Sequence, residues 1–385
     1  MQQKIWKLGD FCRTGSGGTP SRSQMNRYYE GGDIPWVKSG ELREGLITST
    51  EEHVTQAALR ETSIKLVPAG AILLAMYGAT VGRLAILGVD ATTNQAVCHI
   101  VPDPVEADTR YLYHALSAQV PAIIAMGVGG AQPNISQSLI KDLKVSLPPI
   151  PEQRRIAAIL DQADALRAKR REALTQLGEI QQSLFMQMFV ISKCYPEETL
   201  DALCELITDG THQTPTYVDE GVLFLSAKNV TSGRIDWSNV KYIPNDLHVA
   251  LHKRLAPKRG DILLAKNGTT GVAAVVDRDE VFDIYVSLAL LRPHIEILPS
   301  YLLAAINSPI CKKKFNQALK GIGVPNLHLK EIKSTKVPNP PIEVQQEFER
   351  RMQSLAQVMA QHQSSLSNLN SLFFSLQHRA FAGEL

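Results

Sequence analysis

The chain has 385 residues, 44% of them hydrophobic, which is long enough for two or three domains with real cores. A net charge of +2 and a pI near 8.2 exclude a polybasic nucleic-acid protein, so any DNA-binding role must share phosphate neutralisation with partners. No run approaches the length of a membrane span, the N-terminus (MQQKIWKLGD) lacks a signal-peptide layout, and the five cysteines show no metal-ligand spacing; the expectation is a cytoplasmic protein with reduced thiols, no membrane contact and no metal.

In chain order, residues 1–150 carry short apolar runs separated by turn signals, with strands predicted at 71–75 and 96–101 and a helical stretch at 110–116. Residues 151–190 then form one long helical pattern. Residues 195–342 return to short runs, with strands predicted at 222–225, 261–265, 273–276 and 287–292 and a helical stretch at 300–306. Residues 343–385 close the chain with a second long helical pattern. Each head is expected to be a mixed α+β domain with a small, mostly antiparallel sheet.

The chain says nearly the same thing twice. Residues 131–153 read AQPNISQSLIKDLKVSLPPIPEQ and residues 323–345 read GVPNLHLKEIKSTKVPNPPIEVQ, aligned without a gap at an offset of 192 (325 − 133). Pro133/Pro325, Asn134/Asn326, Val145/Val337, Pro148-Pro149/Pro340-Pro341, Ile150/Ile342 and Gln153/Gln345 coincide. Leu73-Leu74-Ala75-Met76-Tyr77-Gly78 matches Leu263-Leu264-Ala265-Lys266-Asn267-Gly268, and Gly18-Thr19-Pro20 sits opposite Gln213-Thr214-Pro215. A period of half the chain is too long for a solenoid and means two duplicated domains.

The first long helix carries Ile156, Ile159, Ala163, Leu166, Arg170, Ala173, Leu177, Ile180 and Leu184 at alternating steps of three and four, a heptad stripe. Leu160, Leu174, Phe185 and Met188 widen it. Its counterpart carries Phe348, Met352, Leu355, Met359, Leu366, Leu369, Phe373, Leu376 and Ala380. At 1.5 Å per residue each helix is roughly 60 Å long. The simplest closure is an antiparallel coiled coil between two heads, with a pseudo-two-fold axis; the other reading is two separate helices, each on its own head.

The heads differ in their loops. Ser16, Gly17, Gly18, Thr19 and Arg22 in the first head stand against Thr211, His212, Gln213 and Thr214 in the second. Tyr77 and Thr80 stand against Lys266, Asn267, Thr269 and Thr270. Gly admits a close backbone approach, and Asn, Lys, Thr and Arg contact base edges or phosphates, so these are candidate DNA contacts, with Lys38, Arg43, Arg83, Lys228, Asn229, Arg234 and the Lys312–Lys314 run as further candidates. Ordinary solvated turns are the other reading of the same residues. A common scaffold with different polar loops is what two different half-sites require.

Catalytic chemistry is not visible. Asn339-Pro340-Pro341-Ile342 resembles the Asn-Pro-Pro-aromatic motif of amino-group DNA methyltransferases but lacks the aromatic ring that stacks on a flipped base. There is no nucleotide-binding glycine loop, and His53, His99, His114, His212, His248, His252 and His294 read as scattered.

Taken in order and twice over, Gly18-Thr19-Pro20, Ile34-Pro35-Trp36-Val37-Lys38, Asp209-Gly210-Thr211-His212, Gly268-Thr269-Thr270-Gly271, Gln132-Pro133-Asn134-Ile135-Ser136, Leu147-Pro148-Pro149-Ile150 and Ala380-Phe381-Ala382-Gly383-Glu384-Leu385 resemble the specificity subunits of type I restriction–modification systems over essentially the whole chain. The resemblance implies two target-recognition domains that each read half of a split double-stranded DNA target. It implies helices that set the spacer and dock two methyltransferase subunits, and a chain that catalyses nothing and holds no cofactor. S-adenosylmethionine then belongs to the methyltransferase partner, and ATP and Mg to an optional restriction partner. The competing classes are the specificity chain of a bifunctional restriction system, a DNA methyltransferase, and a scaffold with no DNA role.

Overall fold

A computed structural model describes residues 4–43, 45–127, 134–192, 194–231, 233–268, 270–319 and 326–385. It divides into two compact units: residues 1–171 with 364–385, and residues 172–363. Each therefore holds one head, the start of the helix that follows that head, and the end of the other long helix.

The first unit runs β1 (Ile5–Lys7), α1 (Leu8–Phe11), β2 (Cys12–Ser16), α2 (Met25–Tyr28), β3 (Ile34–Val37), β4 (Leu46–Ile47), β5 (Glu52–Val54), α3 (Gln56–Glu61), β6 (Ile72–Ala75), β7 (Leu84–Leu87), β8 (Thr92–Thr93), β9 (Val97–Pro102), α4 (Thr109–Ala125), α5 (Gln137–Lys141) and β10 (Lys144–Ser146) into α6 (Ile150–Phe185). The second runs β11 (Glu197–Thr199), α7 (Leu200–Leu203), β12 (Cys204–Asp209), β13 (Val222–Leu225), β14 (Lys241–Ile243), α8 (Asn245–Arg254), β15 (Ile262–Ala265), β16 (Ala273–Val275), β17 (Phe282–Ile284), β18 (Leu288–Pro293), α9 (Pro299–Asn307), α10 (Pro309–Ala318), α11 (Leu329–Ser334) and β19 (Lys336–Pro338) into α12 (Ile342–Ala382).

The sheets repeat. The main sheet is β2-β9-β6-β7-β4 in one head and β12-β18-β15-β16 in the other; the second sheet is β5-β3-β8 in one and β14-β13-β17 in the other. A two-stranded pair, β1-β10 or β11-β19, closes each head, so the shared Val145 and Val337 sit opposite Trp6 and Glu198. Pairing is antiparallel except at β4-β7, β3-β8 and β13-β17.

The repeated Ile-Leu-Leu-Ala strands are buried on both faces, and period-two alternation sorts their side chains. Ile72 and Leu74 join the core formed with Leu112 and Leu116 of α4; Leu73 and Ala75 join the core formed with Val37 of β3. Ile262 and Leu264 likewise meet Tyr301 and Leu302 of α9, while Leu263 and Ala265 meet Phe282 and Leu225. The predicted strands and helical stretches all fall within one or two residues of observed elements, apart from longer ends to α4.

The shared glutamine after the double proline has a structural task. Gln153 is 1% exposed, donates from Nε2 to the carbonyls of Glu106 (2.9 Å) and Pro148 (2.8 Å), and accepts from the Asp108 amide (2.8 Å). Gln345 does the same with Glu296, Pro340 and Leu298. Each glutamine ties the start of its long helix to the loop before the head's helix and pairs partly buried backbone groups there.

The long helices pair antiparallel within each unit. In the first, Arg155 donates to the Leu385 carbonyl (2.7 Å), Arg167 Nε to Asn370 Oδ1 (2.8 Å), and Tyr111 of α4 meets the Phe381 ring edge-on at 5.6 Å. In the second, Phe185 and Phe189 pack on Phe348, and Phe189 meets Tyr301 of α9 edge-on at 5.0 Å. The expected stripe on α12 holds, with Leu366 and Phe373 buried and Met352, Leu355, Leu369 and Leu376 partly so.

On α6 the structure corrects one row of the stripe. Ile156 is buried, and Leu177 and Leu184 are partly buried, as expected. The intervening row lies one residue later: Leu160 (0% exposed) and Arg167 (7%) face the partner helix, whereas Ile159 is only partly buried and Leu166 and Ile180 are about half exposed, at 51% and 50%. Apolar residues at both 159 and 160 leave the row ambiguous. The polar Arg167 enters because Asp164 (2.7 Å), Asn370 and the Phe373 face (4.2 Å) satisfy its guanidinium.

Candidate nucleic-acid interface

One end of each main sheet gathers the loops that differ between heads. In the first head, the segments after β2, after β6 and before β9 meet there. The amides of Gly17 and Gly18 donate to the carbonyls of Val97 (3.3 Å) and Thr93 (2.9 Å), Met76 to Ala96 (2.8 Å), and Thr19 Oγ1 to Gln95 Oε1. In the second, Thr211 donates to Ile284 (3.0 Å) and Lys266 to Ser287 (2.8 Å). The residues after the shared asparagines brace both ends alike: Ile135 donates to the Met76 carbonyl and Leu327 to that of Lys266. Pro133 and Pro325 lie outside the described residues.

These bonds also correct the loop alignment. Gly17 matches Gly210, because a Cβ on either would stand 1.9 Å from the Thr93 oxygen or 2.0 Å from that of Ile284. Ser16 therefore corresponds to Asp209 and Gly18 to Thr211, not to Gln213 as the sequence match places it, and from there to the next strand the first head's segment is the longer, residues 17–33 against 210–221. After the Ile-Leu-Leu-Ala strands, Gly78 (φ +79°) and Gly268 (φ +75°) turn the backbone through the left-handed region that a side chain would strain.

Several candidates are exposed at this end and available to a ligand. Ser16, Thr19, His212, Gln213 and Thr214 are exposed, Gly17, Thr80, Thr211 and Thr270 are partly so, and Thr214 Oγ1 shares a hydrogen bond with the Tyr285 hydroxyl (3.0 Å). Gly18 is buried and contributes backbone geometry. Tyr77 packs partly into the first core, where burial raises its phenol above the ordinary range. Thr269 lies outside the described residues.

Two candidates are corrected. Lys266 is only 6% exposed and its ammonium stands 2.5 Å from Asp209 Oδ2, itself buried, so it holds the loop together rather than reaching DNA. Asn229 is 6% exposed and caps the turn 227–230: its Oδ1 accepts from the Ser226 amide (2.9 Å), and its Nδ2 donates to the carbonyls of Asp236 and Asn239. Glu41 caps the same turn in the first head by accepting from the Lys38 amide (2.7 Å). Both pairings bridge residues too far apart, or backbone too local, for a residue-type reading to detect. Asn267 is partly buried, and its Oδ1 lacks a hydrogen-bond partner.

The remaining cations fall into four places. Arg22 binds Glu52 through two nitrogens (2.6 and 3.2 Å) over the faces of Tyr29 and Trp36, and Lys38 binds Glu51 (2.8 Å) and Glu52 (3.0 Å). The Arg22 hydrogen bond, helped by Lys38, holds the Glu52 carboxyl down at about 2. Exposed Arg43 and Arg83 line a cleft of about 530 Å³ with Arg167 and Phe374, and Arg83 closes the turn after β6, its amide donating to the Thr80 carbonyl (3.0 Å). Lys228 and Arg234 are exposed around the 227–230 turn. Lys314 donates to the Lys336 carbonyl (2.7 Å), which sets the triple lysine beside β19.

The sequence features set aside earlier have structural explanations. The Asn339 amide donates to the Pro196 carbonyl (2.8 Å) and Pro340 accepts from Gln345, so that motif starts a helix. Cys12, Cys98, Cys204 and Cys311 are buried thiols pushed up to about 12 by burial, and Cys194 is exposed. No helix among the described residues is long and apolar enough to cross a membrane. The histidines are not all scattered: His248 and His252 stand one helical turn apart on α8 beside Asp283.

A family model described as the type I restriction modification DNA specificity domain matches residues 3–176 and again 217–370. The EcoR124I/EcoR124II specificity subunit of Escherichia coli is 30% identical over 47% of this chain, and the match spans about half (46%) of that relative's length. The EcoBI specificity subunit of Escherichia coli is 26% identical over 77% of the chain and 69% of the relative. The MjaIX specificity subunit of Methanocaldococcus jannaschii is 24% identical over 99% and 93%. Among solved structures, the type I restriction–modification S subunit from M. genitalium superposes with a TM-score of 0.56 at 16% identity, covering 99% of this chain and 96% of that one. A chain from a study of complex assembly and conformational transition in the type I system gives 0.64 at 18%, covering 99% and 98%. At those identities the structures speak to the fold alone, and the two family matches carry the assignment: the chain belongs to the type I restriction–modification DNA specificity domain family.

Proposed function

We propose that this chain is the non-catalytic DNA-reading subunit of a type I restriction–modification complex in the cytoplasm, with each head reading one half of a bipartite double-stranded target. The observation that carries this is the pairing of sameness with difference. The sheets, the helix-start glutamines and the bracing Ile135 and Leu327 amides repeat, while the exposed residues at the shared loop end do not: Ser16 and Thr19 in one head, His212, Gln213 and Thr214 in the other. Phosphate contacts position a reader and base contacts specify it, so different side chains on one scaffold give different half-sites.

The long helices set the spacer and dock two methyltransferase subunits, with a restriction subunit joining where the system has one. Half-exposed Leu166, Ile180 and Leu372, and Phe374 at 60%, offer apolar surface that such a partner would bury. S-adenosylmethionine, ATP and Mg are assigned to those partners, and none to this chain. The test is a map of N6-methyladenine across the host genome by long-read sequencing, with and without the gene. Loss of one bipartite motif with a fixed spacer is expected on deletion; an unchanged methylome beside an active methyltransferase subunit would refute the reading.

A further inference from the structure

We propose that His248, His252 and Asp283 form a binding site for a divalent transition metal ion, zinc in the first instance, in the second head. His248 and His252 lie four residues apart on α8 and so share a face. Asp283 lies on β17 and is only 2% exposed. His248 Nδ1 is 2.7 Å from Asp283 Oδ2, His252 Nδ1 is 3.6 Å from Asp283 Oδ1, and the two imidazole centroids are 4.7 Å apart. One ligand atom from each residue falls within 4.8 Å of the others.

Two of these atoms are unsatisfied. His252 Nδ1 and Asp283 Oδ1 are buried without a hydrogen-bond partner, and they face each other. A buried polar atom left unpaired is costly, and a shared cation removes the cost for both. Tetrahedral zinc with bonds near 2.0–2.1 Å sets its ligand atoms about 3.3 Å apart. The 2.7 Å contact therefore opens slightly and the wider separations close, which rotation of the two imidazoles allows. Two imidazoles and one carboxylate suit zinc better than magnesium or calcium, which take oxygen ligands. The histidine side chains are 17% and 32% exposed, so solvent can reach the fourth position.

The first head lacks this group. Thr92 pairs with Trp36 as Asp283 pairs with Phe224, and α3 (QAALRE) carries no histidine. The three residues are thus an addition to one copy, not part of the common scaffold. Their position gives them a role. Ile284, next to Asp283, accepts from the Thr211 amide, and Arg254 of α8 donates to the Asp209 carbonyl (3.0 Å). A metal joining α8 to β17 would fix both supports of the 209–214 loop.

The test uses the untagged full-length chain, freed of metal with a chelator and titrated with zinc against a chromogenic competitor. One zinc per chain is expected, as is the intense visible absorption of four-coordinate cobalt(II) on substitution. His252→Ala, which leaves the His248–Asp283 hydrogen bond in place, should weaken zinc binding by more than the roughly 10–100-fold cost of losing an outer partner. Asp283→Thr, which installs the first head's residue, should abolish it. Zinc should raise the melting temperature of the parent but not of His252→Ala, and Cys194→Ser should bind as the parent does. Absence of stoichiometric binding, undiminished binding by His252→Ala, or loss in Cys194→Ser would overturn the proposal.

Discussion

The heads differ most sharply in single side chains. Where the second head buries the Asp209–Lys266 ion pair, the first has Ser16 and Met76 at the corresponding positions. Removing one partner of a buried pair leaves an uncompensated charge, so Lys266→Met should cost about 3–5 kcal/mol. Adding Asp209→Ser recreates the first head's combination and should recover most of that, as denaturant unfolding of the single and double variants would show. Recovery would mean that the pair shapes the loop and that the scaffold tolerates either solution. Glu52 makes a second prediction. Its folded carboxyl titrates near 2 against an ordinary 4.5, so its contribution is present above pH 4.5 and lost as pH falls towards 2. The side chains are partly exposed, which limits the contribution to about 1 kcal/mol. The melting temperatures of the parent and Glu52→Gln should therefore differ at neutral pH and converge across that window. Neither pairing was legible in the sequence, since residue type alone does not reveal a contact across 57 positions.

Among the elements, the long helices were the most legible and also show the limit of periodicity. Their length, their proline-marked starts and the α12 stripe follow from spacing alone. The α6 stripe does not, because Ile159 and Leu160 are equally apolar and only the partner helix decides between them. The repeated glutamine was visible as a coincidence, but its role was not: Gln153 and Gln345 each satisfy three backbone groups. Truncating either leaves those groups, most of them partly buried, without this partner, at about 1–3 kcal/mol each where nothing replaces the bond. Gln153→Ala and Gln345→Ala should each destabilise their own unit by on the order of 3 kcal/mol, measured by chemical denaturation, with hydrogen exchange rising first around residues 106–108 and 296–298. His248 and His252 read as scattered in the sequence, because their third member, Asp283, joins them only through the fold.

For the whole molecule, duplication was the feature that sequence carried furthest. It divided the chain correctly into two copies of one topology and directed attention to the loops where they differ. It could not say which loop residues are braces and which are free to read, because that depends on burial. The proposed function requires that each head read its half-site independently. The most direct measurement is the methylome of a strain in which residues 195–342 are replaced by the second head of another family member with a known target. One half of the methylated motif is expected to change to the donor's half-site while the other half stays as it was. A motif that stays whole, or one that changes in both halves, would contradict it.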